Sequence, residues 1–347
     1  MTASPAPITV ADYEPLARAR TESAAWDYQA GGAGDERSLA DNLAAWGRVR
    51  LRPRILVDVA ERDLSTRVLG LDLPHPIVVA PTASHRLSHP EAEVATSRGA
   101  AAAGALYTLS TIASVPMEEV AAAAPDAPRW FQLYAPADRG ACKAMVDRAV
   151  AAGYRGIVLT VDLPLPGNRE RDLRSGFAVE VGAHLPDDQP VDPNTGIVVL
   201  PTLDWAYLEW LRSVCPVPLI AKGVLRADDA LRAADAGCDA IWVSNHGGRQ
   251  LDTSLAPADA LPGIAAALGG RVPLVVDGGV RRGIDALKGL ALGADLVAVG
   301  RPVLWGLAVG GADGVQRVLG ILRDELSHAM ALAGCRTLAD IGADLVA

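Results

Sequence analysis

The sequence predicts an α/β protein folded as a (β/α)8 TIM barrel, with a helical N-terminal extension and a long loop after the fourth strand. Two observations support this fold class. Short apolar segments alternate with helical patterns, most of them about 25–30 residues apart, as parallel strands joined by crossover helices do. Each apolar segment ends at a polar or glycine residue. About eight units over roughly 230 residues fit a closed barrel better than an open doubly wound sheet.

The first 72 residues precede the repeat and are predicted to form the N-terminal extension. Helical patterns run over Val10–Arg20, Ala24–Gln29 and Ser38–Trp46, and residues 55–72 are predicted to form short extended pieces. The extension is expected to pack across one end of the barrel, so that residues 1–347 form one domain.

The repeat itself begins near residue 77. The predicted strands are Ile77–Ala80, Leu106–Leu109, Trp130–Leu133, Ile157–Val161, Pro218–Ala221, Ala240–Val243, Leu274–Val276 and Leu296–Val299. The predicted helices are Pro90–Ala103, Met117–Ala124, Arg139–Ala152, Ala227–Ala236, Pro257–Ala267, Gly283–Ala291 and Val303–Leu307.

The spacing is broken once, between the fourth and fifth strands, where about 30 residues are inserted. The inserted segment, residues 167–203, has little periodicity and contains the proline- and acid-rich stretch Pro186–Pro193. A long irregular loop on a barrel is either a lid or a passive excursion, and both interpretations remain open here. Parts of it are expected to be mobile.

Composition restricts the partners. The formal net charge of −9 argues against nucleic acid or an anionic membrane as a partner. No apolar run approaches the ~18 residues of a membrane span, and no leader pattern is found, so a cytoplasmic protein is predicted. The widely scattered Cys142, Cys215, Cys238 and Cys335 are predicted to be reduced, structural thiols.

Chemistry is expected at the C-terminal ends of the strands, because these ends share one face of a barrel. The residues found there in chain order are Pro81, Thr82, Ala83, Ser110, Gln132, Tyr134, Thr160, Asp162, Lys222, Ser244, His246, Asp277, Gly278, Gly279, Gly300 and Arg301.

The last two strand ends predict a site for a phosphate-bearing ligand. Asp277–Arg282 follows the seventh strand and Gly300–Pro302 the eighth, and barrels commonly bind phosphate in these two loops. Glycine backbones donate N–H groups, and the arginines supply the countercharge. The alternative is that Asp277–Val280 is only a tight turn.

The segment Ser244–Asp252 predicts an active-site loop, the alternative being a tight turn with incidental polar residues. His246 can move a proton near neutral pH, and Arg249 can bind a carboxylate with two parallel hydrogen bonds. Asp162 could orient the imidazole of His246 and raise its basicity. The buried position of Lys222 fits equally a Schiff-base nucleophile and a cation facing an electron-rich cofactor.

No metal site is expected. His85 and His89 are four residues apart, but Pro90 follows directly, which disfavours a helical pair of metal ligands. The Zn-protease, Walker and nucleophile-elbow motifs are absent from the sequence.

Ser244–Asp252, read with Asp277–Arg281 and Gly300–Pro302, resembles the FMN-dependent α-hydroxy-acid oxidase and dehydrogenase family. The S-N-H-G-G-R-Q-L-D run is highly specific, whereas D-G-G alone is not. The resemblance covers almost the whole chain. It continues through Asp27-Tyr28, Ala80–Ala83, Phe131–Tyr134, Leu159–Asp162, Lys222-Gly223 and Gly334–Arg336.

The resemblance implies the oxidation of an (S)-2-hydroxy acid to the 2-oxo acid with FMN as cofactor. It makes His246 the base, held by Asp162, and makes Arg249 the carboxylate ligand, assisted by Tyr28 and Arg169. Tyr134 would hydrogen-bond the substrate. Lys222 would stabilise the reduced flavin, which decides against the Schiff base. The family is usually tetrameric or octameric, so a homo-oligomer is implied.

The resemblance also assigns the flavin contacts. Isoalloxazine and ribityl contacts fall on Pro81, Thr82, Ala83, Ser110, Gln132, Thr160 and Ser244. Ribityl and phosphate contacts fall on Asp277, Gly278, Gly279, Arg281, Gly300 and Arg301.

Two positions bear on the subtype. Ile112 stands where short-chain oxidases of the family often have tryptophan, which favours a bulky or aryl substrate of the mandelate or 4-hydroxymandelate type. Ala83 stands where the dehydrogenases often have glycine, which favours O2 as acceptor and H2O2 as product. The alternatives are a dehydrogenase with a quinone or protein acceptor, an FMN-dependent isomerase, and a non-catalytic phosphate-ligand-binding barrel.

Overall fold

The computed structural model describes residues 7–178, 182–184 and 200–347, and it contains the predicted closed barrel. All eight predicted strands are confirmed. They are β3 (Ile77–Val79), β4 (Tyr107–Leu109), β5 (Arg129–Leu133), β6 (Ile157–Thr160), β7 (Leu219–Val224), β8 (Ala240–Val243), β9 (Leu274–Val276) and β10 (Leu296–Val299). Each strand pairs in parallel with the next, and β10 closes the ring on β3 through Val297 opposite Ile77.

Side chains along the barrel strands alternate between two cores, because successive residues of a strand point to opposite faces. One core lies between the barrel and its helices and includes Phe131, Leu159 and Ile241. The other lies inside the barrel and includes Trp130 and Trp242, both fully buried. Trp130 and Trp242 therefore fill the inside of the barrel. The next inward side chain on the same strand, two residues later, lies at the C-terminal end, where the predicted site residues are.

A short antiparallel hairpin closes the end of the barrel away from the functional face. Its strands are β1 (Thr66–Val68) and β2 (Leu71–Leu73). Val68, Leu71 and Leu73 join the same apolar cluster as Trp130 and Trp242. The predicted extended pieces in residues 55–72 thus include this hairpin.

The helices surround the barrel or belong to the N-terminal extension. They are α1 (Tyr13–Arg18), α2 (Ser23–Ala30), α3 (Arg37–Arg48), α4 (Ala92–Ala103), α5 (Met117–Ala123), α6 (Arg139–Ala151), α7 (Glu170–Ser175), α8 (Trp205–Val214), α9 (Ala227–Asp235), α10 (Pro257–Leu268), α11 (Gly283–Ala291) and α12 (Arg301–Ala333).

The prediction was wrong at the C-terminal helix. The predicted segment Val303–Leu307 continues as α12 to Ala333, interrupted only by non-helical backbone at Gly310 and Gly311. The paired glycines resemble a helix end in sequence. The second half of α12 nevertheless forms because its apolar residues Val315, Val318, Leu322 and Leu326 recur on one face and are fully buried.

Two further helices lie in or near the segment predicted to be irregular. α7 falls inside residues 167–203, and α8 begins directly after it. The side chain of Asp204 caps α8 by accepting a hydrogen bond of 2.8 Å from the Tyr207 amide. The stretch Pro186–Pro193 lies outside the described residues, so the choice between lid and passive excursion stays open.

All four cysteines are buried and free of disulfides, as predicted. Among the described residues, no helix combines the length and the apolar character that crossing a membrane requires.

Candidate active site

A cleft of about 980 Å³, including its open mouth, lies at the C-terminal ends of the barrel strands. Most of the predicted site residues line it. They are Tyr28, Pro81, Thr82, Ala83, Ser110, Ile112, Tyr134, Arg169, Lys222, His246, Arg249, Asp277, Gly278, Gly279, Arg281, Gly300 and Arg301.

The four remaining predicted residues hydrogen-bond side chains that line the cleft or support them. Gln132 accepts from Ser110 Oγ at 3.1 Å and donates to Thr160 Oγ1 at 2.9 Å. Ser244 Oγ donates to Asp277 Oδ2 at 2.9 Å. The fourth, Asp162, bonds the imidazole of His246.

The imidazole of His246 is held between two partners. Its Nδ1 lies 2.9 Å from Asp162 Oδ1, and its Nε2 lies 3.3 Å from the Tyr134 hydroxyl. The rings of His246 and Tyr134 are nearly parallel, with an angle of 9° between their planes. The backbone of His246 is left-handed, with φ of 58°, and its amide donates to Ser244 Oγ at 3.1 Å. A strained non-glycine residue at such a position is typical of a functional site.

Burial lowers the pKa of His246 to about 4, and the opposing attraction of Asp162 does not offset it. Burial alone would raise the pKa of Asp162, but the charges of His246 and Lys222 and the hydrogen bond to the imidazole lower it. The imidazole is therefore neutral at neutral pH and donates Nδ1–H to a carboxylate. Its Nε2 is left as the basic atom on the side of the cleft.

Two guanidinium groups meet at the cleft. Arg249 donates to the carbonyls of Tyr28 and Gly31 at 2.5 and 2.9 Å and lies 4.8 Å from the centre of the Tyr28 ring. Arg169 is buried, and burial together with the charge of Arg249 lowers its pKa to about 10. Within the described parts of the chain, neither forms an ion pair with a carboxylate. An anion in the cleft would compensate both charges.

A second pair of cations, Arg281 and Arg301, also lines the cleft. Burial lowers the pKa of Arg281 to about 10 and that of Arg301 to about 9. Arg301 donates to the carbonyls of Gln29 and Gly31 at 3.0 and 2.8 Å. No carboxylate of the described residues pairs with either guanidinium. Gly300 caps the N-terminus of α12 between them, so the arrangement suits a phosphate group.

The backbone at Gly278 and Gly279 adopts φ values of 86° and 78° that favour glycine. A Cβ on Gly279 would lie 1.9 Å from the carbonyl oxygen of Asn42, so no larger residue fits there. Asp277 Oδ1 is buried with no hydrogen-bond partner among the described residues, and it is free to accept from a ligand hydroxyl. Cations for a phosphate and an acceptor for a hydroxyl together fit a sugar-phosphate cofactor.

Lys222 belongs to the same cradle. Its Nζ donates to Ser244 Oγ at 3.3 Å and lies 3.9 Å from Asp277 Oδ2. The carboxylate of Asp277 also accepts from Trp242 Nε1 at 3.0 Å. Burial raises the pKa of Asp277, although Lys222 and the hydrogen bond from Ser244 oppose the rise. Lys222 thus adds a positive charge to the wall of the cleft.

An apolar cluster contributes Ile112 and Tyr28 to the lining of the cleft. Ile112, which is 1% exposed, clusters with Tyr28 and Leu163, and Leu87 and Phe177 pack against them. Leu87, Leu163 and Phe177 do not line the cleft themselves but pack with residues that do, and sequence reasoning missed them. Leu163 directly follows Asp162, which is the one signal that could have identified it. Phe177 follows α7 in the inserted segment and is brought to the site only by the fold, with its ring centroid 5.3 Å from that of Tyr28.

No group of three or more His, Cys, Asp or Glu side chains within the described ranges could hold a metal ion. A TIM barrel with a histidine held by a carboxylate, arginines that pair with no carboxylate of the described residues, and a phosphate cradle at its strand ends fits a flavin-dependent oxidoreductase. The comparisons with known proteins identify the family. The chain belongs to the FMN-dependent dehydrogenase family, whose model matches residues 17–347. Its cofactor is FMN.

The relatives cover the chain almost completely. It is 48% identical to an L-lactate oxidase from Nostoc sp. over 358 aligned positions, covering 98% of each chain. It is 43% identical to human 2-hydroxyacid oxidase 1, covering 98% of this chain and 96% of that one. A solved structure of mandelate oxidase with (S)-2-phenylpropionate matches with a TM-score of 0.89 at 41% identity, covering 98% of each chain.

Proposed function

We propose that this protein oxidises an (S)-2-hydroxy acid with a bulky or aryl side chain to the 2-oxo acid, using O2 as acceptor. The observation that carries the proposal is that one cleft brings together a neutral imidazole and two guanidinium groups that pair with no carboxylate of the described residues. An acid with a hydroxyl on its α-carbon needs both, one for its proton and one for its carboxylate.

The substrate carboxylate would bind Arg249 and Arg169. Their charges are uncompensated by carboxylates of the described chain, and a guanidinium binds a carboxylate with two parallel hydrogen bonds. Tyr28 and Tyr134 offer hydroxyl groups beside this anchor. Burial raises the pKa of Tyr134 above its ordinary value, so its hydroxyl stays a hydrogen-bond donor. The anchor fixes the α-carbon in one orientation, and orientation lowers the barrier of the reaction.

His246 would act as the base, and its Nε2 would take a proton from the α-carbon or the hydroxyl group of the substrate. The positive charge that then forms on the imidazole is stabilised by Asp162 through Nδ1–H, across the bond of 2.9 Å. FMN, when bound, supplies the electron sink that accepts two electrons from the substrate and passes them to O2. Lys222, Arg281 and Arg301 would hold the cofactor with their positive charges, and Asp277 would accept a hydrogen bond from one of its hydroxyl groups.

The apolar cluster supports a large substrate side chain. Ile112 lines the cleft with carbon atoms only, Leu163 and Phe177 belong to the same apolar cluster, and Ala83 is small. The structural similarity to mandelate oxidase favours an aryl group, whereas the L-lactate oxidase relative favours a methyl group. A preference for mandelate or 4-hydroxymandelate is proposed because the cluster offers apolar area to a ring that a methyl group would leave uncovered.

The test is anaerobic stopped-flow reduction of the bound flavin across glycolate, lactate, mandelate and 4-hydroxymandelate. The aryl acids are expected to give the highest ratio of limiting rate to half-saturating concentration. A higher ratio with lactate would overturn the substrate assignment. Under air, stoichiometric H2O2 is expected, and dye reduction without peroxide would point instead to a dehydrogenase.

A matched pair of variants tests the apolar cluster. Ile112→Trp fills the space beside Tyr28 and is expected to lower the rate ratio for mandelate by about a hundredfold while sparing lactate. Ile112→Val, which leaves the space open, is the control and should keep mandelate turnover. Equal losses on both substrates with Ile112→Trp would mean that Ile112 does not select the side chain.

A further inference from the structure

A pair of buried amides joins the N-terminal extension to the loop that carries His246. Asn42 Nδ2 donates to Asn245 Oδ1 at 2.9 Å, and Asn245 Nδ2 donates to Asn42 Oδ1 at 2.7 Å. Both side chains are less than 5% exposed, at 2% and 4%. Neither residue lines the cleft, so the pair makes no contact there with substrate or cofactor.

The Asn245 side chain also organises its own loop. Its Oδ1 accepts from the Gly248 amide at 3.1 Å, and its Nδ2 donates to the Leu255 carbonyl at 3.3 Å. The next residue along the chain is His246, whose left-handed backbone must be maintained by its surroundings. Together with the bond from the His246 amide to Ser244 Oγ, the bonds of Asn245 hold the backbone on both sides of His246.

Helix α3, which carries Asn42, is itself fixed to the phosphate side of the cleft. Trp46 Nε1 donates to the Gly278 carbonyl at 2.7 Å. The Asn42 carbonyl lies so close to Gly279 that a Cβ there would approach it to 1.9 Å. At the other end of the catalytic loop, the Asp252 carboxylate accepts from the Ser38 amide at 2.8 Å. One helix therefore contacts both the phosphate loop and the loop of the base.

We infer that Asn42 is a positioning residue for the reaction, which acts through Asn245 to hold His246 in its left-handed conformation. This inference rests on the proposed role of His246 as the base. Loss of the Asn42 amide would leave Asn245 with a buried oxygen and N–H group lacking one partner each, and the loop would relax to satisfy them. The imidazole would then leave the geometry it shares with Asp162 and Tyr134.

The experiment compares three variants of the FMN-bound enzyme. Asn42→Ala removes both bonds. Asn42→Asp keeps the size but removes the donor to Asn245 Oδ1. Ala44→Gln, at an exposed position of the same helix, is the matched control. The readouts are the limiting rate of anaerobic flavin reduction, the FMN dissociation constant, and hydrogen–deuterium exchange of peptides covering residues 244–254.

Asn42→Ala is expected to lower the reduction rate by about ten- to a hundredfold while changing FMN affinity by less than about threefold. Exchange in residues 244–254 should accelerate, and Ala44→Gln should match the parent. For Asn42→Asp the rate should rise as the pH falls from about 8 to about 5, because a protonated carboxyl regains the donor. A purely stabilising role for Asn42 would produce no such pH profile.

The inference is overturned if both Asn42 variants reduce flavin within twofold of the parent, or if their rates fall only in proportion to lost FMN. Failure of both to fold also counts against it, since Asn42 would then be a determinant of folding. His246→Ala separates this result from the proposed function. If that variant is reduced normally, the role of His246 as the base is wrong, whatever Asn42 does.

Discussion

Replacing Asp162 with asparagine tests the charge that supports the proposed base, His246. Asparagine keeps an oxygen that can accept Nδ1–H of His246, so the geometry of the bond of 2.9 Å can survive. Only the negative charge is lost. The substitution therefore isolates the electrostatic part of the contribution of Asp162, which in the proposed mechanism acts when the imidazole becomes positively charged.

The size of the effect follows from the separation of the charges. The centres of an imidazolium and a carboxylate in this contact lie about 4 Å apart, where two unit charges interact by about 4 kcal/mol at an effective dielectric constant near 20. Since each 1.36 kcal/mol corresponds to a tenfold change in rate, Asp162→Asn is expected to lower flavin reduction by about a thousandfold. FMN affinity should stay near that of the parent because Asp162 does not line the cleft.

The assay is stopped-flow reduction at saturating mandelate, with FMN content measured by absorbance. Asp204→Asn is the matched control, because Asp204 caps α8 away from the cleft and asparagine caps helices as well as aspartate does. It should change the rate by less than twofold. A loss below tenfold in Asp162→Asn, with the flavin fully bound, would refute the electrostatic role of this carboxylate.

Two further predictions concern Arg249 and the protonation of His246. Arg249→Lys should raise the half-saturating substrate concentration by about ten- to a hundredfold with a smaller change in limiting rate, because the two parallel hydrogen bonds are lost; an unchanged value would exclude Arg249 as the carboxylate ligand. The reduction rate should be constant at neutral pH and fall only as the pH drops through the region near 4, because the base must be neutral and burial lowers the pKa of His246 to about 4. An acid limb centred at the ordinary histidine value of about 6.5 would contradict this environment for the imidazole.

Much of the fold could be predicted from local patterns of the sequence. The barrel strands are contiguous apolar runs such as Ala240–Val243, and each ends abruptly at a polar or glycine residue, so both the strands and their functional ends could be predicted. The length of α12 could not, because Gly310 and Gly311 break the local pattern while tertiary burial sustains the helix beyond them.

The same distinction applies to the site. His246, Arg249 and Lys222 stand at strand ends and are visible in sequence. Phe177 carries no local signal, and its packing against Tyr28 depends on the path of the inserted segment. Asn42 and Asn245 are 203 residues apart and look like ordinary polar residues until the fold joins them. Contacts of this kind depend on packing, which no short pattern encodes.

Because side chains alternate between the two faces of a barrel strand, the number of residues in the strand decides which side chain points into the cleft at its end. Val158 and Thr160 on β6 point into the barrel, and Leu159 points into the helix layer. A substitution at Thr160 would change one contact. The insertion of a single residue in β6 would instead turn Thr160 towards the helices and bring its neighbour inward. Sequences descended from this one are therefore free to exchange side chains at the strand ends, whereas the number of residues within each strand is fixed by the fold.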